Sequence, residues 1–106
     1  GGIDNTLKII KKKKIKKYII ECDSYLQVQK CLKFGSNYIL LDNMTPTEIK
    51  KCIDIKKKFK KKILFEISGG INYQNINLYS NLGSDFISSS KITNSAKSVD
   101  IGLDII

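Results

Sequence analysis

Apolar runs of strand length recur at Tyr18 to Cys22, Tyr38 to Leu41, Ile63 to Ile67, Phe86 to Ser88 and Val99 to Leu103. Between them lie segments with helical spacing and recognisable ends. A first helix is expected over Asn5 to about Lys14. Asp23 or Ser24 can cap a second, whose Tyr25, Val28 and Leu32 share a face and which Gly35 ends. Thr45-Pro46-Thr47-Glu48 combines a capping box with proline at the first helical position, and Ile49, Cys52, Ile53 and Phe59 supply the apolar stripe behind it. Asn72 starts a further helix with Ile76 and Tyr79, closed by Gly83. Strands alternating with helices at this spacing imply βαβ units, right-handed crossovers and a parallel sheet. The strands read as apolar on both faces, as expected of strands covered by helices. Four or five units are too few to close an eight-stranded barrel, which leaves part of a barrel or an open sheet.

The polar exceptions fall where such folds collect their reactive groups, at the carboxyl ends of the strands. Glu21 interrupts the first strand near its end, and Asp42-Asn43 closes the second. Glu66 and Ser68-Gly69-Gly70 close the third, and Ser88-Ser89-Ser90 the fourth. Asp42-Asn43 before Met44-Thr45-Pro46 also has a plain reading as a turn that caps a helix. An acid inside a buried strand, such as Glu21, needs a partner or a ligand. Two glycines let backbone amides approach an anion, and the following helix starts at Asn72 with its first N–H groups available. Two carboxylates and a phosphate cradle on one rim suit a ligand with a phosphate at one end and ribose hydroxyls or a magnesium ion at the other.

Composition narrows the partners. The 106 residues fit one small domain, and the start at Gly1-Gly2 without an initiator methionine suggests a piece of something longer. Apolar residues make up 42% of the chain, enough for a core. The chain contains no apolar run near the ~20 residues of a membrane span, and its start does not resemble a signal peptide, so a cytoplasmic protein is expected. The formal charge of +9 comes from 19 lysines, with neither arginine nor histidine in the chain. A surface built to read nucleic acid would use arginine for its bidentate fork, so Lys11 to Lys14, Lys56 to Lys58 and Lys60 to Lys62 read as solvated helix faces, in a chain also crowded with isoleucine and asparagine. Cys22, Cys31 and Cys52 lack metal-ligand spacing and read as small core residues in a reducing compartment.

The stretches "IIECDSYLQVQKCLKFGSNYILLDNM", "LFEISGGINYQNI" and "YSNLGSDFISSSKITNSAKSVDIGLDI" resemble, in order and spacing, the C-terminal part of the quinolinate phosphoribosyltransferase family over nearly the whole chain. The resemblance implies an α/β fold, with residues 1–106 forming part of an open TIM-like α/β barrel whose first strands and separate N-terminal domain lie elsewhere. It implies a reaction that converts quinolinate and phosphoribosyl pyrophosphate to nicotinate mononucleotide, carbon dioxide and pyrophosphate with Mg2+, in a homodimer or larger homo-oligomer. By resemblance, Glu21 and Asp42 hold the ribose hydroxyls and Mg2+, while Ser68, Gly69, Gly70, Ser89 and Ser90 bind the 5'-phosphate. Glu66 becomes a rim group that supports them. The family's quinolinate pocket draws arginines, a histidine and lysines from upstream segments and a neighbouring subunit. This chain also departs from the pattern, with Ser90 and Asn94 where the family usually has glycine and histidine. Competing readings are a paralogue associated with molybdenum transport, another phosphate-binding barrel, and a noncatalytic basic domain that binds nucleic acid.

Overall fold

A computed structural model of the chain describes residues 2–69, 78–79, 86–87 and 103–105. The elements run α1 (Gly2–Lys13), β1 (Tyr18–Cys22), α2 (Tyr25–Phe34), β2 (Tyr38–Asp42), α3 (Pro46–Lys56), β3 (Leu64–Ser68), β4 (Phe86–Ile87) and β5 (Leu103–Ile105). Of the helix expected from Asn72, Leu78 and Tyr79 are described, and both are helical.

Local signals set the helix ends. Lys14 takes a left-handed conformation (φ 54°), and the amide of Ile15 bonds back to the carbonyl of Ile10 at 3.1 Å, which stops α1. Ser24 caps α2 by accepting from the Gln27 amide, and Gly35, at φ 109°, ends it. Thr45 caps α3 ahead of Pro46, accepting from the Glu48 amide at 3.2 Å. The expected capping box is half formed: Glu48 Oε2 instead accepts from the Tyr25 amide at 3.0 Å. An orphan N–H at the neighbouring helix N-terminus, where the dipole favours negative charge, is the competing partner for that carboxylate.

The sheet has five strands in the order β4-β3-β2-β1-β5. The four strands β1 to β4 are parallel and stand side by side in chain order. Chain order without reversal is how βα units line up around a barrel wall, whereas a doubly wound sheet reverses it. Two expectations are corrected. β5 pairs with β1 antiparallel, Tyr18 opposite Ile105 and Ile20 opposite Leu103, so the sheet is mixed at that edge. An outer strand presents unpaired N–H and C=O groups that accept an extended segment in either direction. The last strand also lies later than expected, and residues 99–102 are outside the described residues.

The second correction concerns burial, which alternates along the strands. Ile20, Cys22, Ile39, Leu41, Phe65 and Ile67 are each at most 1% exposed, packed with Val28, Cys31 and Leu32 of α2 and Ile49, Cys52 and Ile53 of α3. The opposite face, with Ile19, Glu21, Tyr38, Leu40, Asp42, Leu64, Glu66 and Ser68, is half-buried. Consecutive right-handed crossovers put α2 and α3 on one side, so the strands are fully covered on that side alone.

All three cysteines are buried and free, as small core residues. Burial pushes the Cys52 thiol up from 9.0 to about 12, with Glu48 adding to the shift. The Cys31 thiol hydrogen-bonded to Cys22 at 3.5 Å, and then burial, push Cys22 up as well. Burial also raises Tyr18, against the opposing effect of its hydroxyl contact with Ser36 Oγ at 2.9 Å. Tyr18 and Ser36 are both buried, at 6% and 0% exposure, so each hydroxyl serves the other.

Ser36→Ala therefore leaves the Tyr18 hydroxyl without this partner and should cost about 1 to 3 kcal/mol of unfolding free energy. Adding Tyr18→Phe should recover most of that loss, as urea denaturation would show; strictly additive losses would contradict it. The thiol and phenol shifts give a second outcome. Folded values raised above unfolded ones mean that stability is fully present below the unfolded values and falls as pH rises through the folded ones. Melting temperature should thus decline across the interval from 9.0 to about 12 for Cys52, and Cys52→Ala should flatten that slope, whatever it does to the absolute stability.

Candidate functional site

Strand register decides which of the polar residues meet. Glu21 pairs with Leu40, and Leu40 with Glu66, which makes one row across three strands. Two residues further, Asp42 pairs with Ser68. Side chains in a row share a face, and residues two apart on a strand do as well. Glu21, Glu66, Asp42 and Ser68 therefore all belong to the half-buried face, Asp42 and Ser68 at its carboxyl end and Glu21 and Glu66 one row below, so Glu66 stands mid-strand and does not close β3 as expected. Glu21 and Glu66 flank β2 on backbones about 9.5 Å apart, with Asp42 and Ser68 roughly 6.6 Å further along. Of the other expected site residues, Gly70, Ser89 and Ser90 lie outside the described residues.

The turns after β2 and β3 interlock. Asn43 is left-handed (φ 54°), and its amide donates to the Ser68 carbonyl at 3.2 Å. Gly69 has φ 81°, and a Cβ added there would meet Asp42 Oδ1, Asn43 Oδ1 at 2.6 Å and the Asn43 amide nitrogen at 3.1 Å. A glycine at position 69 is thus required by the turn itself, independently of any anion. The same packing sets the Asp42 carboxylate directly against the Ser68-Gly69 turn. A cavity of about 250 Å³ opens beside it, lined by Asn43, Met44, Thr45, Pro46, Gly69 and Tyr79.

The helix N-termini behind the rim are served from within the chain. In α2, Ser24 and Glu48 take the amides of Gln27 and Tyr25, and Gln27 Oε1 accepts from the Asp23 amide at 2.8 Å. In α3, Thr45 serves Glu48. Among the described residues, no cluster of three or more His, Cys, Asp or Glu could hold a metal ion.

One contributor escapes a reading of strand ends, and another, Asn43, was expected only to close β2. Tyr38, at the start of β2, donates its hydroxyl to Glu66 Oε1 at 2.8 Å. Asn43 joins the two turns. The period of two that carries Asp42 and Leu40 onto one face also carries Tyr38, and asparagine after a strand is a common left-handed residue. At the opposite end of the strands, a cavity of about 440 Å³ is lined by Lys16, Lys17, Tyr18, Asn37, Tyr38, Lys62 and Leu64. Its lysines are exposed, as are Lys11 to Lys14 and Lys57, Lys58, Lys60 and Lys61. Lys11 to Lys14, Lys57, Lys58 and Lys60 to Lys62 are solvated as expected, but α3 ends at Lys56, so the lysines beyond it lie in the connection to β3 and not on a helix face, and Lys56 is half-buried with its Nζ 4.9 Å from the Phe65 ring centroid. No helix among the described residues is long and apolar enough to cross a membrane.

The geometry has counterparts among known proteins. The chain is 37% identical over 95 residues to a probable carboxylating nicotinate-nucleotide pyrophosphorylase of Methanocaldococcus jannaschii, covering 86% of this chain and 34% of that protein. A human carboxylating nicotinate-nucleotide pyrophosphorylase is 28% identical over 86 residues, covering 81% of this chain and 29% of that one. The crystal structure of the nicotinate-nucleotide pyrophosphorylase of Ehrlichia chaffeensis superposes with a TM-score of 0.70 at 40% identity, over 96% of this chain and 36% of that one. The Francisella tularensis enzyme gives 0.71 at 25% identity, over 100% and 38%. This chain thus spans about a third of the length of these relatives. The sequence profile described as "Quinolinate phosphoribosyl transferase, C-terminal domain" matches residues 1–104, and the chain belongs to that family.

Proposed function

We propose that the chain carries the phosphoribosyl half of the site of a carboxylating nicotinate-nucleotide diphosphorylase, a cytoplasmic phosphoribosyltransferase of NAD biosynthesis that works as a homo-oligomer. The observation that supports it most is the pairing of Asp42 with Ser68 at the rim, with the Gly69 turn packed on Asp42 and Glu21 on the same face.

The roles follow from chemistry. Ser68 and the amides that follow it take the 5'-phosphate; Glu21 and Asp42 accept hydrogen bonds from ribose hydroxyls. Hard carboxylate oxygens without a preformed cage fit Mg2+, which is commonly bound through one or two carboxylates together with substrate phosphates. When bound, the ion would offset the charge of pyrophosphate as it leaves. The face itself is acidic, so an oxocarbenium-like ribose would be stabilised above Glu21 and Asp42. Quinolinate brings two more carboxylates, and cations must face them. With neither arginine nor histidine, the 106 residues do not hold the family's usual groups for that task.

Magnesium-dependent calorimetry should accordingly show binding of phosphoribosyl pyrophosphate to the 106-residue chain, without formation of nicotinate mononucleotide from added quinolinate. Turnover by this chain alone would mean that the quinolinate site has been misplaced. Ser68→Ala should weaken binding about 10- to 100-fold, the worth of a hydrogen bond to a charged group, with little change in melting temperature. Gly69→Ala should instead lower stability, by about 1 to 3 kcal/mol, through strain at a positive φ and overlap with Asp42 and Asn43. Equal ligand affinity in Ser68→Ala would remove the phosphate cradle from the reading.

A further inference from the structure

We propose that Tyr38 is a positioning residue for the ligand face, acting through the hydrogen bond that fixes Glu66. This rests on the reading of the rim as a phosphate and ribose site. Glu66 stands on the same strand and face as Ser68, two residues before it, or roughly 6.6 Å. The Glu side chain is long enough for its carboxylate to lean either along the strand toward Ser68 or back toward the strand's start. Tyr38 biases the choice toward the strand's start. It pairs with Leu64, one row below Glu66, and its hydroxyl donates to Glu66 Oε1 at 2.8 Å. A hydrogen bond to a carboxylate is short and roughly twice as strong as a neutral one, so it outweighs the rotamer freedom that it removes.

The direction of the pull gives the functional consequence. A Glu66 carboxylate leaning upward would confront a phosphate at the Ser68-Gly69 turn, where Asp42 already stands against Gly69. Each further like charge close to the phosphate opposes its binding, the more so the less water stands between them. Held down by Tyr38, Glu66 stays level with Glu21, at the other end of the row through Leu40, where ribose hydroxyls rather than phosphate oxygens would lie. Tyr38 thereby keeps three carboxylates on one face compatible with an anionic ligand.

The test is a double-mutant cycle with Tyr38→Phe and Glu66→Gln, read by calorimetry with ribose 5-phosphate in the presence of magnesium and by urea denaturation. Tyr38→Phe keeps the ring and removes only the donor. It should weaken ribose 5-phosphate binding about tenfold in the unaltered background and hardly at all beside Glu66→Gln, because an uncharged side chain that swings upward does not repel phosphate. The urea cycle should show coupling between the two positions in the absence of ligand. An equal loss in both backgrounds would mean that Tyr38 acts through packing, and no loss in either would mean that Glu66 is held without it; each result overturns the proposal. Failure of the unaltered chain to bind ribose 5-phosphate would remove the proposed function and this role together, and the titration of that chain separates this result from the other two. If Tyr38→Phe compromises folding, Glu66→Gln alone still decides, since eliminating the charge that Tyr38 restrains should leave the affinity for inorganic phosphate equal or higher, and a tenfold loss would refute the role.

Discussion

In-register parallel pairing of β1, β2 and β3, with helices on one side, is the constraint on which the rest depends. Each pairing step fixes which residues stand level, and the pleat then assigns alternate residues to opposite faces. Ile20, Ile39 and Phe65 go under the helices, while Glu21, Leu40 and Glu66 go to the other side. A slip of one residue in β3 would exchange Glu66 and Ser68 for Phe65 and Ile67, burying an acid beneath α3 and exposing the largest fully buried side chain. Hydrophobic burial of one face thus holds the chemistry of the other in place. The fold determines where the acids of the proposed site stand.

Strands, helix order and the rim residues were legible because each has a local cause. Ser24, Gly35, Thr45 and Pro46 punctuate the helices in the way their side chains dictate. Glu21, Asp42 and Ser68 interrupt or close apolar runs, and a parallel βα order sends all such ends to one rim. The one-sided burial was harder to see. Ile19, Leu40 and Leu64 are apolar, so β1 to β3 read as covered on both sides, although those residues are half-buried. Sequence registers apolarity but not which face receives a helix. The antiparallel β5 was invisible for a related reason, since pairing at an outer edge is set by hydrogen-bonding groups that every residue carries.

Long-range contacts between polar side chains were also illegible. Glu48 looked like the second half of a capping box three residues from Thr45, yet its carboxylate goes to Tyr25, 23 residues away. Tyr38 reaches Glu66 across 28 residues. In both, a carboxylate with a local option takes a donor from the next βα unit, because packing two units side by side brings an amide or hydroxyl within reach. These contacts link neighbouring units in addition to the apolar layer beneath α2 and α3.

The distribution of charge follows from the same architecture. Lysines occupy the last turns of α1, α2 and α3, the ends that favour cations, and Lys16, Lys17 and Lys62 surround the starts of the strands. Glu21, Asp42 and Glu48 lie toward the opposite end with the helix N-termini, and there Glu48 and the capping hydroxyls of Ser24 and Thr45 take the amides of Tyr25, Gln27 and Glu48. A phosphate entering this end meets acids on the strands and helix ends that are already capped. A net charge of +9 therefore does not by itself mark the ligand end, because many of the described lysines behind it stand at the helix C-termini and the starts of the strands.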